Sequence, residues 1–300
     1  MPIAHHEKRV YKNRGVIITL APSYETLEQE SLEAVAPLWP KYPKTRQLWE
    51  SLVNDPEARA NWDMADYMAV NKLSYNDHGM THALIVGANA IRIFDLLVSA
   101  GVVPDVVSSG AGDVDDASLV TATATLLHDI GNQIHRKYHE MMGAGYPRPA
   151  DAGDLSGHRT ARRTARLHSA RHAGRVSHDF DPPPLTFEAG VTAVADGTDV
   201  TKGRGRKAFD LGKVDIHSVS ALAIDEVHIA AGKDTPVEIT IVMNNSAGIF
   251  QIEDTLTKKV VKGPLSKWIT VTAVTRPADS PNDACIIERL TLKNGVFAAE

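Results

Sequence analysis

The chain has 300 residues, 43% of them hydrophobic and 23% charged, and a mass of 32.5 kDa. A chain of that length buries roughly three quarters of its extended surface, enough for one large core or two moderate ones without staples. A formal charge of -5 argues against a general coat for nucleic acid, and a lone cysteine, Cys285, excludes an internal disulfide framework and a cysteine-built zinc site. Uninterrupted apolar stretches such as 15–20 fall far short of a membrane span, and the opening MPIAHHEKR lacks the apolar core of a signal peptide. A soluble cytoplasmic protein is therefore expected.

Residues 10–20 (VYKNRGVIITL) read as a short strand or an apolar arm. From Ser23 to Leu73 the chain reads helical. Tyr24 to Leu38 is rich in Glu, Leu and Ala and is ended by Trp39-Pro40; Asn54-Asp55-Pro56-Glu57 reads as a cap with proline in the first turn of the next helix. A longer helix is predicted from Gly79 to Ala100, where Leu84, Ala88, Ile91, Phe94 and Val98 form one apolar stripe. After the polar loop 110–116, Ser118 is placed to cap a helix reading LVTATATLLHDI, which Gly131-Asn132 interrupts or ends.

The stretch 143–178 holds seven arginines, no lysine and only Asp151 and Asp154 as acids, together with His158, His168, His172 and His178. With few large apolar side chains beyond Leu155, Leu167 and Val176, it is expected to be a solvated helix, a loop or a poorly ordered segment that supplies little core. Residues 187–196 are predicted as a helix ending on Asp196. Beyond His217, Val219 to Ile229 and Pro236 to Met243 read as strands and Ile249 to Val261 as a helix. Trp268 to Val274 and Cys285 to Leu292 read as two more strands, followed by a turn at Lys293-Asn294-Gly295. The expected fold class is a mainly α-helical bundle with an N-terminal arm over 1–216, followed by a small α/β unit of order β-β-α-β-β over 217–300.

Thirteen histidines are the unusual count, and three clusters carry chemistry. His78 and His82 are four apart, so a helix places both on one face. His128-Asp129 ends an apolar helix just before a glycine; imidazole and carboxylate together suit zinc, manganese or iron. An aspartate near the negative end of a helix dipole also calls for a compensating cation. Asp196 closes the third apolar run, and the adjacent Lys202-Gly203-Arg204-Gly205-Arg206 is a compact basic loop fit to wrap phosphate.

His82, His128-Asp129 and Asp196, in that order over helical text, resemble the H…HD…D signature of HD-domain metal-dependent phosphohydrolases. The likeness covers about residues 70–210 and extends to the apolar residues around each motif, as in Leu126-Leu127-His128-Asp129-Ile130-Gly131. The resemblance implies an HD-type helical bundle in which His82, His128, Asp129 and Asp196 hold a divalent metal, with His128, Asp129 and Asp196 catalytic. One metal is expected, or two if Asp129 bridges them; Mn, Mg, Zn, Fe, Ni and Co are not distinguished. His135 and His139 are the candidates for a second metal or the pocket, with His158, His168, His172 and His178 as weaker options.

The implied reaction is hydrolysis of a phosphate ester, in a nucleotide or small phosphorylated metabolite, by metal-activated water. Lys202, Arg204, Arg206 and Arg136 are candidates for holding the phosphate, and Asp77 and His78 for keeping His82 in its tautomer. Asn132 departs from the pattern, standing where many members have a phosphate-touching lysine. Two other readings compete: a di-iron oxygenase on the same bundle, and a small-molecule-sensing or dimerising regulatory protein whose working part is 217–300. Homo-oligomerisation through that C-terminal unit is expected. The Arg-rich segment lacks interleaved aromatics, so nucleic acid is not an expected partner.

Overall fold

A computed structural model describes residues 10–13, 16–19, 23–144, 161–179, 181–204, 216–276, 288–293 and 295–299. The chain enters as an antiparallel hairpin of β1 (Val10–Asn13) and β2 (Val16–Thr19), two strands where one strand or an arm is expected. Ser23 caps α1 (Tyr24–Val35), its hydroxyl accepting from the Thr26 N–H at 3.2 Å, and a 3-10 turn, Ala36–Leu38, carries the helix to Trp39-Pro40. Asp55 ends α2 (Pro43–Asn54) and caps α3 (Pro56–Asp66), accepting from the N–H groups of Glu57 and Ala58. Pro56 takes the first helical position, where a missing N–H leaves no bond unmade. A π-helical turn, Tyr67–Lys72, extends α3.

The axis of the bundle is α4 (Met80–Ser99) against α6 (Val114–Leu126), with the short α5 (Asp105–Ser108) between them in sequence. Every α6 residue from Asp116 to Leu126 is buried, the pattern of an interior helix. α4 has the length and apolarity of a membrane span, yet 67% of that window is buried inside the protein, so its apolar side chains are core. α4 packs on α1, α6 and α9 (Phe187–Asp196), and α6 also meets α2 and α8 (Ala161–Val176).

Two local expectations change. Asp113, not Ser118, caps α6: its carboxylate accepts from the Asp116 N–H while the Asp116 carboxylate accepts from the Asp113 N–H. Ser118 lies a turn inside the helix, where its hydroxyl accepts from Thr45 Oγ1 of α2 at 2.8 Å. The aspartates that made 110–116 look like a solvated loop are thus themselves the start of the helix. Within 143–178, residues 161–176 are helical and bury Leu167, Arg171 and Arg175; residues 145–160, His158 among them, lie outside the described residues.

The C-terminal part begins with α10 (Ile216–Leu222), where a strand is expected from Val219, and continues through β3 (Ile224–Ala230) and β4 (Val237–Met243). A helical segment follows, made of α11 (Gly248–Ile252), a π turn (Glu253–Thr257) and α12 (Lys258–Lys262). It returns the chain so that β5 (Ile269–Thr275) runs parallel to β4. β6 (Arg289–Lys293) and β7 (Val296–Ala299) complete a mixed sheet of order β3-β4-β5-β6-β7. The observed order is α-β-β-α-β-β-β. The short, alanine-containing β7 gives little periodic signal, and Cys285, expected to open a strand, lies outside the described residues. One apolar cluster runs through bundle and sheet, α12 packs on α9, and Arg92 of α4 donates to the Ile229 carbonyl of β3 at 2.7 Å.

Candidate metal centre

The site is built from the ends of helices. His82 lies in the first turn of α4 and Asp196 is the last residue of α9. His128-Asp129 occupies the turn after α6, which ends at Leu126, before a 3-10 turn, Ile130–Gln133. Trp62 Nε1 donates to the Leu126 carbonyl at 2.9 Å, satisfying the end of α6 from within the core. His139 opens α7 (His139–Ala144), and His178-Asp179 follows α8. Gly131 lets α7 close on this turn: a Cβ there would lie 1.9 Å from the His139 carbonyl oxygen and 2.5 Å from Gly143 N. Tyr138 is held at φ 66°, a left-handed conformation that turns the chain into His139.

Four imidazoles share one orientation. The Nδ1–H of His82 donates to Asp199 Oδ2 (2.7 Å), that of His128 to the Thr125 carbonyl (2.6 Å), that of His139 to the Arg136 carbonyl (3.0 Å) and that of His178 to the Arg175 carbonyl (2.5 Å). These acceptors fix the tautomer, so every Nε2 turns inward. His82 Nε2 and His128 Nε2 are 3.1 Å apart. Asp129 Oδ2 is 3.3 and 3.2 Å from them, and Asp196 Oδ1 is 3.3 and 3.6 Å from them. The other oxygen of Asp129, Oδ1, faces the second pair: it is 3.1 Å from His139 Nε2 and 3.8 Å from His178 Nε2, which are 3.0 Å from each other. Asp179 stands at 3.8 Å from both of these nitrogens.

Lone pairs of neutral imidazoles this close repel unless a proton or a cation lies between them. Burial and Arg204 work to lower the pKa of His82, but the carboxylates of Asp129, Asp196 and Asp199 around it outweigh them and raise it to about 10. Burial is likewise outweighed at His128, which Asp129 and Asp196 raise to about 9. His178 goes the other way, pushed down by burial and by His128 and His139. Asp129 and Asp196 stay well below the usual carboxylate range despite burial, the first through His128 and the second chiefly through Lys259.

The donor set fits a metal. Donor atoms about 2.1 Å from a common ion lie roughly 3.0–3.4 Å apart, close to the 3.1–3.6 Å spacing of the first group. Asp196 Oδ1, buried within it, has no hydrogen-bond partner among the described residues. His82 with His128 and Asp196, His128 with Asp129 and His178, and His139 with His178 and Asp179 are each close enough to hold an ion. Mixed imidazole and carboxylate ligands suit zinc, manganese or iron.

The remaining predicted residues divide. Arg204 is brought in: its guanidinium lies 3.3 Å from His82 Nε2 and donates to the Asp199 carbonyl (3.1 Å) and to the Asp77 carbonyl (3.3 Å). Arg136 donates to His139 Nε2 at 2.7 Å and to Asp179 at 3.4 Å. Lys202 is turned away, paired with Asp225 at 2.9 Å, and Arg206 lies outside the described residues. His135 is also outside the centre, its Nδ1 accepting from the Lys137 N–H. His168 and His172, on α8, belong to none of the ligand groups.

His82 is oriented by Asp199 rather than by Asp77 or His78. Asp77 instead accepts from the Gly79 N–H at 2.8 Å and holds Arg204 through its backbone. His78 lines the neighbouring cavity of about 400 Å³, along with Tyr75, Arg136 and Arg204. Sequence reasoning ranked His178 low and missed Asp179, Asp199 and Lys259. His178-Asp179 repeats the HD dipeptide at a helix end, a signal hidden by its arginine-rich surroundings; Lys259, 63 residues from Asp196, has no local signal.

Fold and site together define a mainly helical protein with a C-terminal five-stranded mixed sheet and a buried His/Asp cluster compatible with metal binding. The chain belongs to the family of the uncharacterized protein MJ1020 of Methanocaldococcus jannaschii, to which it is 36% identical over 228 residues, 76% of this chain and 88% of that protein. No protein-family model matches the chain, and no solved structure does.

Proposed function

We propose that the protein is an HD-type, metal-dependent phosphohydrolase acting on a small phosphate ester. The observation that carries this reading is Asp129, whose two oxygens face two separate histidine pairs beneath a cavity bordered by Arg136 and Arg204. His82, His128, Asp129 and Asp196 would hold one divalent ion; His139 and His178, with the second oxygen of Asp129 and with Asp179, would hold another. Such ions polarise a phosphoryl oxygen and make hydroxide available near neutral pH.

The chain's own groups do the rest. Arg204, fixed through Asp77 and Asp199, and Arg136, fixed through Asp179 and His139, present guanidinium donors to phosphoryl oxygens where charge builds up. Burial holds His78 neutral, against the pull of Asp129, and its Nδ1–H is committed to the Asn76 carbonyl at 2.5 Å. Its Nε2 is left to accept a hydrogen bond from a substrate hydroxyl in the cavity.

The test is phosphate release from a panel of mono- and diesters by full-length protein loaded with manganese or zinc. Asp129→Asn is expected to lower turnover roughly 100-fold or more and to lose bound metal. A loaded protein that releases phosphate from none of them, or an Asp129→Asn variant with wild-type turnover and metal content, contradicts the reading.

A further inference from the structure

Lys259 belongs to α12, outside the stretch that resembles HD-domain proteins, yet its ammonium pairs with Asp196 Oδ2 and lies 3.6 Å from Asp179 Oδ1. Its side chain is only 6% exposed. Two features of the chain bring it there. Gly197 follows Asp196, and a Cβ at that position would lie 3.0 Å from Leu256 Cα and 3.3 Å from Lys259 Cδ. Glycine therefore lets the C-terminal helical segment approach the end of α9. The π turn Glu253–Thr257 immediately precedes α12, with Thr257 Oγ1 donating to the Ile252 carbonyl at 3.1 Å; such turns insert an extra residue and re-aim the side chains beyond them.

This segment forms one side of the cavity over the metal centre, through Gln251, Thr255 and Lys259, and Arg136 and Arg204 stand on the same cavity. Arg136, Arg204 and Lys259, with Lys258 beside it paired to Asp254, thus border one polar space from three distant parts of the chain. We propose that Lys259 binds the phosphoryl group of the substrate, so that the C-terminal α/β part is a wall of the catalytic pocket. This rests on the phosphohydrolase reading above. Once Asp196 gives Oδ1 to a divalent ion, its charge is shared, and the buried Lys259 ammonium beside it can donate to a phosphoryl oxygen.

The experiment is calorimetric titration of inorganic phosphate into the full-length, manganese-loaded protein, with bound manganese counted on the same samples. Lys259→Met, which keeps an unbranched stem without the charge, is expected to retain manganese and to weaken phosphate binding roughly tenfold or more, and Lys259→Arg to recover most of the loss. Unchanged phosphate affinity in Lys259→Met overturns the proposal. So does loss of manganese alongside phosphate, because Lys259 would then be holding a ligand rather than the substrate. Wild-type protein that takes up manganese but binds no phosphate sinks the phosphohydrolase reading together with the proposal. Phosphate bound by the wild type and equally by Lys259→Met sinks the proposal alone.

Discussion

His82 takes its direction from a residue 117 positions away, Asp199, whose carboxylate accepts the Nδ1 proton at 2.7 Å and leaves Nε2 facing the centre. Partners of this kind set both the tautomer and the basicity of a ligand. Asp199→Asn keeps the shape and removes the charge, so manganese affinity is expected to fall about 10–100-fold with the fold intact. Titration of manganese into metal-freed protein, with circular dichroism on the same sample, checks this; wild-type affinity in Asp199→Asn would remove Asp199 from the account. His82, His128, Asp129 and Asp196 are readable as candidates through their resemblance to the H…HD…D signature, which the apolar runs around each strengthen. Asp199 was written only three residues beyond Asp196, but a carboxylate in a loop of Gly, Thr and Asp gives no local sign that it points inward. Lys202, from the same loop, points to Asp225 instead, and only tertiary contact separates the two.

At the scale of elements, the centre depends on how tightly α7 closes on the turn after α6. A side chain at Gly131 has no room, since its Cβ would meet the His139 carbonyl at 1.9 Å. Gly131→Ala is expected to move His139 away from Asp129, costing about 1–3 kcal/mol of stability and the ion shared with His178. Calorimetric melting and manganese counting measure the two effects, and wild-type values for both would contradict this packing. The sequence pattern marked most helices here, because Asp55-Pro56 and the stripe of α4 are local features. At α8 the sequence allows a helix but reads its arginines as solvent-seeking. Arg171 and Arg175 are buried instead, long aliphatic stems covering core and Arg175 donating to the Gly143 carbonyl at 3.2 Å, and this is what delivers His178 to the centre.

Across the whole molecule, bundle and sheet share one apolar cluster, and the carboxylates of Asp129, Asp179, Asp196 and Asp199 meet there with Arg136, Arg204 and Lys259. Helix ends from distant parts of the chain bring two pairs of imidazoles and the carboxylates of Asp129, Asp179 and Asp196 into one cluster, an arrangement that divalent cations would hold together. Metal content of full-length protein, prepared without added metal or chelator and again after dialysis against manganese, tests this most directly. The account expects about two divalent ions per chain after dialysis and close to none in Asp129→Ala. A correctly folded wild-type chain that stays metal-free through dialysis, or an Asp129→Ala variant that retains the full complement, would contradict it.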